Sequence, residues 1–299
     1  MKKHTSSLKR IAIFALSALL LLSATSCDNV AFIELENNTE DTVQEDTVAN
    51  TAQESTSTTE AQITTDETTA PIPNKLRFGS YNIKHGGDAD LDMSKLAKNI
   101  RAADLDIVGL QEVDQLTTRV NNINTMKRLS NHTGYDYYAF FKAIDFKGGE
   151  YGVGILSKYP ILETERIEFY SGKEEKRVLG RAKIDVNGLT VNFFVTHISF
   201  ESLDLRTAQF KQIAETIKKY DNFILTGDFN TSDFNEYSVI ENAAMVNNLE
   251  YSIVTFPSGN SSIDNIVYDE NAWSFSRPKT LIASYSDHYM LYAEAEYNK

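Results

Sequence analysis

The feature that most constrains this chain is a series of short apolar runs, each ending on a polar residue with chemical potential. "LRFGSYNI" carries Asn82 near its end, "DIVGLQEV" carries Glu112, "LTVNFFVTHIS" reaches His197, and "NFILTGDFN" closes on Asp228 and Asn230. Apolar runs of this length bounded by turn residues read as buried strands. An Asp or Asn at a strand end is often only a turn residue bonding its own backbone, so no single one marks a site. The runs outnumber the helical stretches between them, which predicts an α/β domain of two stacked mixed sheets with helices outside.

The elements follow from local chemistry. Alternating Leu76, Phe78 and Ser80 predict a strand over 76–83. Asp92 is placed to cap a helix over "MSKLAKNIRAA", in which Met93, Leu96, Ala97 and Ile100 share one face. A second helix near 122–132 stops before Gly134, and "YDYYAFFKA" and "YGVGILS" read as strands. Asn187-Gly188 joins "GRAKIDV" to "LTVNFFVTHIS" as a two-residue hairpin turn. A helix covers about 203–220, and "SSIDNIVYD" and "HYMLYAEAEY" are late strands.

This pattern begins only near residue 75. Residues 1–10 carry Lys2, Lys3, Lys9 and Arg10 with no acid, and "IAIFALSALLLL" at 11–22 is apolar except for Ser17. That is a signal-peptide arrangement, shorter than the roughly 20 apolar residues of a membrane span. "SATSC" then ends in Cys27, the single cysteine. Residues 1–27 are therefore expected to be a lipoprotein-type signal, with Cys27 lipidated, although Ala24 stands where such a box usually has Leu. The alternative is an ordinary cleaved leader. Residues 28–74 hold eleven acids and no Lys or Arg, with a Thr-rich tract. Such a stretch has too little apolar side chain to offset the entropy of ordering, and a disordered tether is expected. The expected location is outside the cell, lipid-anchored to the outer face of a bacterial cell membrane.

The net charge of −13 is mostly tether: residues 1–27 carry +4 and residues 28–74 carry −11, leaving −6 on 75–299. A mildly acidic domain lacks the basic footprint of a tight nucleic-acid binder. It still permits a metal-assisted nuclease, since a bound divalent ion supplies positive charge where phosphate sits.

Two histidines, several carboxylates and two amides at strand ends suit metal-assisted phosphoester hydrolysis. Hard oxygen ligands such as Glu112 hold Mg²⁺ or Ca²⁺, and a His beside a carboxylate acts as acid or base near neutral pH. The ordered motifs "SYNIKHG", "QEVD", "GGEYGVGILSKYPI", "KRVLGRAKI", "VTHIS", "GDFN", "SSIDNIVY" and "SDHYML" span residues 76–297. In that order they resemble the endonuclease/exonuclease/phosphatase superfamily, and small bacterial secreted or lipid-anchored members in particular. The resemblance implies a DNase I-like four-layer sandwich, two stacked mixed β-sheets flanked by helices. It implies Glu112 as principal metal ligand, with Asn82 beside it and Asp287 assisting, for Mg²⁺ or alternatively Mn²⁺ or Ca²⁺. His197 and His288 would flank the scissile phosphate, with Asp264 orienting His288 and Glu150 partnering His197. Asp228 and Asn230 would position or deprotonate the attacking water, and Arg177 would lie near phosphate.

The expected activity is a divalent-metal-dependent phosphoester hydrolase of phosphodiesterase or nuclease type. A sphingomyelinase-like lipid phosphodiesterase and a phosphomonoesterase are the alternatives within the class. The substrate would be a nucleic acid, a phospholipid or a small phosphate ester, the membrane would be engaged through the N-terminus, and a monomer is expected. A catalytically inactive surface binding module is the alternative from another class; the intact set Glu112, His197, Asp228, Asn230 and His288 speaks against it.

Overall fold

A computed structural model of the chain describes residues 70–282 and 285–298. The expected leader, Cys27 and nearly all of the expected tether lie outside them.

The described residues form β1 (Leu76–Asn82), α1 (Met93–Ala102), β2 (Ile107–Gln115), α2 (Thr125–Thr133), β3 (Tyr137–Phe146), β4 (Gly149–Ser157), β5 (Ile161–Glu168), β6 (Val178–Val186), β7 (Leu189–His197) and α3 (Leu203–Ile217). These are followed by β8 (Phe223–Asp228), β9 (Ala243–Met245), β10 (Asp264–Asp269), β11 (Trp273–Phe275), β12 (Lys279–Leu281) and β13 (Met290–Tyr297). The local signals account for several boundaries. Asp92 caps α1 by accepting from the Ser94 amide at 3.0 Å, and α2 ends on Gly134 at φ 75°, the left-handed cap that glycine adopts without penalty. Asn187 (φ 53°) and Gly188 (φ 95°) make the tight turn between β6 and β7.

One sheet has the order β11-β13-β1-β2-β4-β3, with β12 beside β13, and the other has the order β5-β6-β7-β8-β10-β9. Both are mixed: β1 pairs β2 in parallel, β7 pairs β8 in parallel, and the other pairings are antiparallel. Phe78, Phe141, Val153, Phe193, Val195 and Ile224 fill the space between the sheets. The packed faces of α1 and α2 bury Leu96, Ile100, Met126 and Leu129 on the outer face of the first sheet. On the second, α3 buries Phe210, Ile213 and Ile217 against Phe194 and Leu225. This is the expected four-layer sandwich.

The sheets approach most closely where side chains are missing. A Cβ added to Gly109 of β2 would collide with Thr226 Oγ1 of β8 and stand 2.9 Å from Val195 Cγ2 of β7. Glycine is required there so that the central strands of the two sheets can touch. Those central strands set the position of the site. Because β1 and β2 are parallel, as are β7 and β8, the ends carrying Asn82, Glu112, His197 and Asp228 reach one rim of the sandwich.

β5 is an element the sequence reading did not anticipate. It is an edge strand that exposes Leu162, Glu163, Thr164, Arg166 and Glu168 and alternates only from Glu165 onward, and the charges that blunt its exposed edge also mask its strand pattern.

Candidate active site

The register of the second sheet assembles the centre of the site. His197, the last residue of β7, lies opposite Asp228, the last residue of β8, and Asp228 lies opposite Asp264, the first of β10. Three polar side chains from three strands are therefore side by side in one row. Asp228 works at both oxygens. Its Oδ1 accepts from the Asn230 amide at 3.0 Å, the ordinary turn bond. Its Oδ2 accepts from Asn82 Nδ2 at 3.0 Å and stands 3.6 Å from both His197 Nε2 and His288 Nε2.

His288 follows a loop tied to β1 by the Ser286 hydroxyl, which donates to the Asn82 carbonyl at 2.6 Å. Its Nδ1 donates to Asp264 Oδ2 at 2.8 Å, and its ring packs on Phe256 at 4.9 Å. Burial pulls its imidazolium down, but the charge and hydrogen bond of Asp264, with Asp228 behind them, outweigh that and lift the pKa to about 10. Burial first, and then the Asp264 charge, raise Asp228 to about 7. His197 moves the other way: burial, and then the nearby positive charges of Arg177 and His288, hold it well below the usual histidine range. The two histidines that flank Asp228 are thus driven to opposite protonation states, the pattern of assigned acid–base roles.

Glu112 comes from the other sheet on a strained backbone. The β2–β4 register shifts between Leu110 and Val113, and Glu112 sits in that bulge at φ 54°. A non-glycine residue in the left-handed region is uncommon, and a bulge re-aims its side chain away from the regular alternation. Burial, and then the negative charge of Asp287, raise its pKa against the pull of the Asn82 hydrogen bond. Two hard oxygen donors that repel each other at a half-buried place suit a divalent cation, which would relieve the repulsion. Asp228, Asp264 and His288 also have ligand atoms within 4.8 Å of one another. There, however, His288 Nδ1 is committed to Asp264, so that trio is a hydrogen-bonded relay and the carboxylates of Glu112 and Asp287 are the better cation donors.

Nine of the ten expected residues converge, and two of those nine hold partners other than the expected ones. Glu112, Arg177, His197, Asp228, Asn230, Asp287 and His288 line one cleft of about 290 Å³, with Asn82 and Asp264 buried against it. Glu150 is not among them. It lies beside Lys142 at 3.3 Å on the exposed β3–β4 hairpin, and its neighbour Tyr151 lines the cleft instead. Adjacent residues of a strand face opposite ways, so a strand that turns Tyr151 inward turns Glu150 out. Nor does Asn82 present its oxygen to a cation. Its amide nitrogen bridges Glu112 Oε1 and Asp228 Oδ2, both at 3.0 Å, while its oxygen accepts from the Lys84 amide. Two flanking carboxylates each require a donor, and the amide supplies both. Arg177, expected near phosphate, is 4% exposed, forms an ion pair with Glu175 at 3.0 Å and donates to His197 Nδ1 at 3.2 Å.

Tyr151, Glu175, Phe200, Phe256 and Ile263 complete the cleft lining, and Lys84 pairs with Asp287 at 3.2 Å. Lys84, Tyr151 and Ile263 stand inside quoted motifs and could have been found there; Phe256 carries no local signal.

The sequence profile described as "Endonuclease/Exonuclease/phosphatase family" matches residues 79–288. No curated protein matches the sequence. An endonuclease/exonuclease/phosphatase of Beutenbergia cavernae is similar in structure, at 19% identity over 75% of this chain and 72% of that one, with a TM-score of 0.65. A mannosyl-6-phosphatase of Bacteroides thetaiotaomicron is similar at 18% identity over 74% and 99% of the two chains, TM-score 0.58. TDP2 of D. rerio, complexed with a single-strand DNA product, is similar at 20% identity over 75% and 100%, TM-score 0.59. At such identities the likeness is one of fold.

Proposed function

The chain belongs to the endonuclease/exonuclease/phosphatase family, and from that premise we propose that it hydrolyses phosphoesters with the help of a bound divalent cation. The observation that carries this reading is the position of Asp228, with one carboxylate oxygen 3.6 Å from each of two histidines.

A carboxyl group with a pKa near 7 takes a proton from an attacking water more readily than an exposed Asp does. Asn230 steadies it through the bond to Oδ1, and its own amide donates to the Ile198 carbonyl at 2.9 Å, which fixes the turn that faces the cleft. As water attacks phosphorus, negative charge grows on the non-bridging oxygens, and a fixed His288 imidazolium is worth more to that state than to the ground state. Asp264 keeps the imidazolium charged and oriented. A divalent cation, Mg²⁺ in our reading, would be held by Glu112 and Asp287 and would supply positive charge at a phosphoryl oxygen.

The charge of the cleft favours a small phosphoester over a long strand. Glu112, Glu175, Asp228 and Asp287 line it, and its arginine is already paired. A polyanion gains its affinity from several free cations along its backbone. The same fold serves a mannosyl-6-phosphatase and a protein complexed with a single-strand DNA product, so fold leaves the ester open.

We further propose that the domain is displayed outside the cell membrane on residues 28–74, anchored through Cys27. The deciding experiment assays the purified protein with Mg²⁺, Mn²⁺ or Ca²⁺ against p-nitrophenyl phosphate, bis-p-nitrophenyl phosphate, inositol phosphates, sphingomyelin and plasmid DNA. Turnover on at least one ester, lost in EDTA and restored by Mg²⁺, is expected. Full activity in excess EDTA, or none on any ester, overturns the reading.

A further inference from the structure

We propose that Arg177 is a positioning residue that fixes His197 as the neutral Nε2–H tautomer, so that this histidine offers the reacting phosphate a hydrogen-bond donor and no base. The inference rests on the reading of the cleft given above. A guanidinium only donates hydrogen bonds and stays charged at any pH a protein survives. Arg177 Nη1 lies 3.2 Å from His197 Nδ1, so Nδ1 must accept. The ring's one proton is then on Nε2, the nitrogen 3.6 Å from Asp228 Oδ2 at the cleft. Protonating Nδ1 would set two N–H donors and two positive charges against each other at a site where both side chains are nearly buried.

The contrast within the site gives the pairing its meaning. His288 Nδ1 faces a carboxylate and must donate; His197 Nδ1 faces a guanidinium and must accept. Partners of opposite sign thus assign opposite tasks to two chemically identical rings. Arg177 is built for this task. Its backbone amide donates to Ser171 Oγ at 3.2 Å, and its guanidinium is held by Glu175 at 3.0 Å and Glu201 at 3.5 Å. Glu201 is itself bound by the Ser199 hydroxyl, two residues beyond His197. The two carboxylates offset the arginine's charge. With Glu150 turned outward, an arginine occupies the place at His197 where a carboxylate was expected.

The test is histidine-ring ¹⁵N NMR on the full chain at pH 7, combined with steady-state kinetics. In the wild type, His197 should show a protonated Nε2 and a bare Nδ1, and His288 should show both nitrogens protonated. Arg177→Met should convert His197 to a mixture of tautomers and lower kcat at least about 10-fold, with KM changed less than about 3-fold. Arg177→Lys, which keeps a donor-only cation, should recover most of both. A wild-type His197 carrying its proton on Nδ1 overturns the proposal without any variant, as does a folded Arg177→Met protein with the wild-type ring pattern. The ring spectrum does not depend on turnover. A tautomer shift in Arg177→Met, in a protein that cleaves no ester, would therefore leave this inference standing and remove the functional reading.

Discussion

His288 is the residue on which most of the chemistry converges, and its removal is the sharpest test at this scale. His288→Ala should lower kcat by roughly 10²–10⁴-fold, the usual cost of a positioned acid–base group, while circular dichroism shows a folded domain. Asp264→Asn keeps the shape and removes the charge that holds the imidazolium, so a smaller loss of the same kind is expected. His132, exposed in the last turn of α2 and remote from the cleft in every contact it makes, is the control, and its Ala variant should keep wild-type kcat. A folded His288→Ala protein with more than about a tenth of wild-type kcat contradicts a direct role. The same side chain also links stability to pH. Its folded pKa, about 10, lies above the unfolded value of 6.5, so its stabilisation is complete below about pH 6.5 and is lost as pH rises toward 10. Urea unfolding in EDTA should therefore show stability falling across that window by an amount on the order of 5 kcal/mol. His288→Gln should flatten the decline, and an equally steep slope in that variant would show that other groups cause it.

At the scale of elements, the site depends on how closely two sheets approach. Gly109 is the point where β2 meets Thr226 of β8 and Val195 of β7, and a methyl group there must push the sheets apart. Gly109→Ala should cost about 1–3 kcal/mol in urea unfolding and should also lower kcat, because Glu112 and Asp228 are carried by the strands that separate. Leu162→Thr on the exposed edge strand β5 is the comparison, with an expected change within about 0.5 kcal/mol. Equal stability for wild type and Gly109→Ala would mean that the contact is softer than the packing indicates. The bulge in β2 belongs to the same scale: without the shift between Leu110 and Val113, strict alternation would decide where Glu112 points.

For the whole molecule, we propose that residues 28–74 are an acidic tether ahead of a domain that carries the chemistry. Cys27→Ser should therefore move the protein from the membrane fraction to the soluble fraction and leave specific activity unchanged. Membrane fractionation identical to wild type would remove the lipid anchor from the account. A loss of activity would mean that the N-terminal segment takes part in catalysis.

The sequence by itself determined the apolar runs of the central strands, the helix caps at Asp92 and Gly134, the Asn187-Gly188 turn, and the polar residues that end those strands. Those are local properties, set by apolar period and turn chemistry within a few residues. Nine of the expected cleft residues converge because the strand ends carry them to one rim. Which atoms meet was decided elsewhere. The bond from Asn82 to Asp228 joins residues 146 positions apart, and the row His197–Asp228–Asp264 exists only in the register of three strands. Glu150 and Tyr151 are neighbours in sequence, yet only one can face the cleft, and no local signal says which. Arg177 stands just ahead of β6 and reaches the end of β7, so its claim on His197 depends on a hairpin's register and on two carboxylates, the exposed Glu175 and the partly buried Glu201. Local chemistry specified the parts of this site; long-range packing, which selects one face and one register among those that local preference allows, assigned their partners.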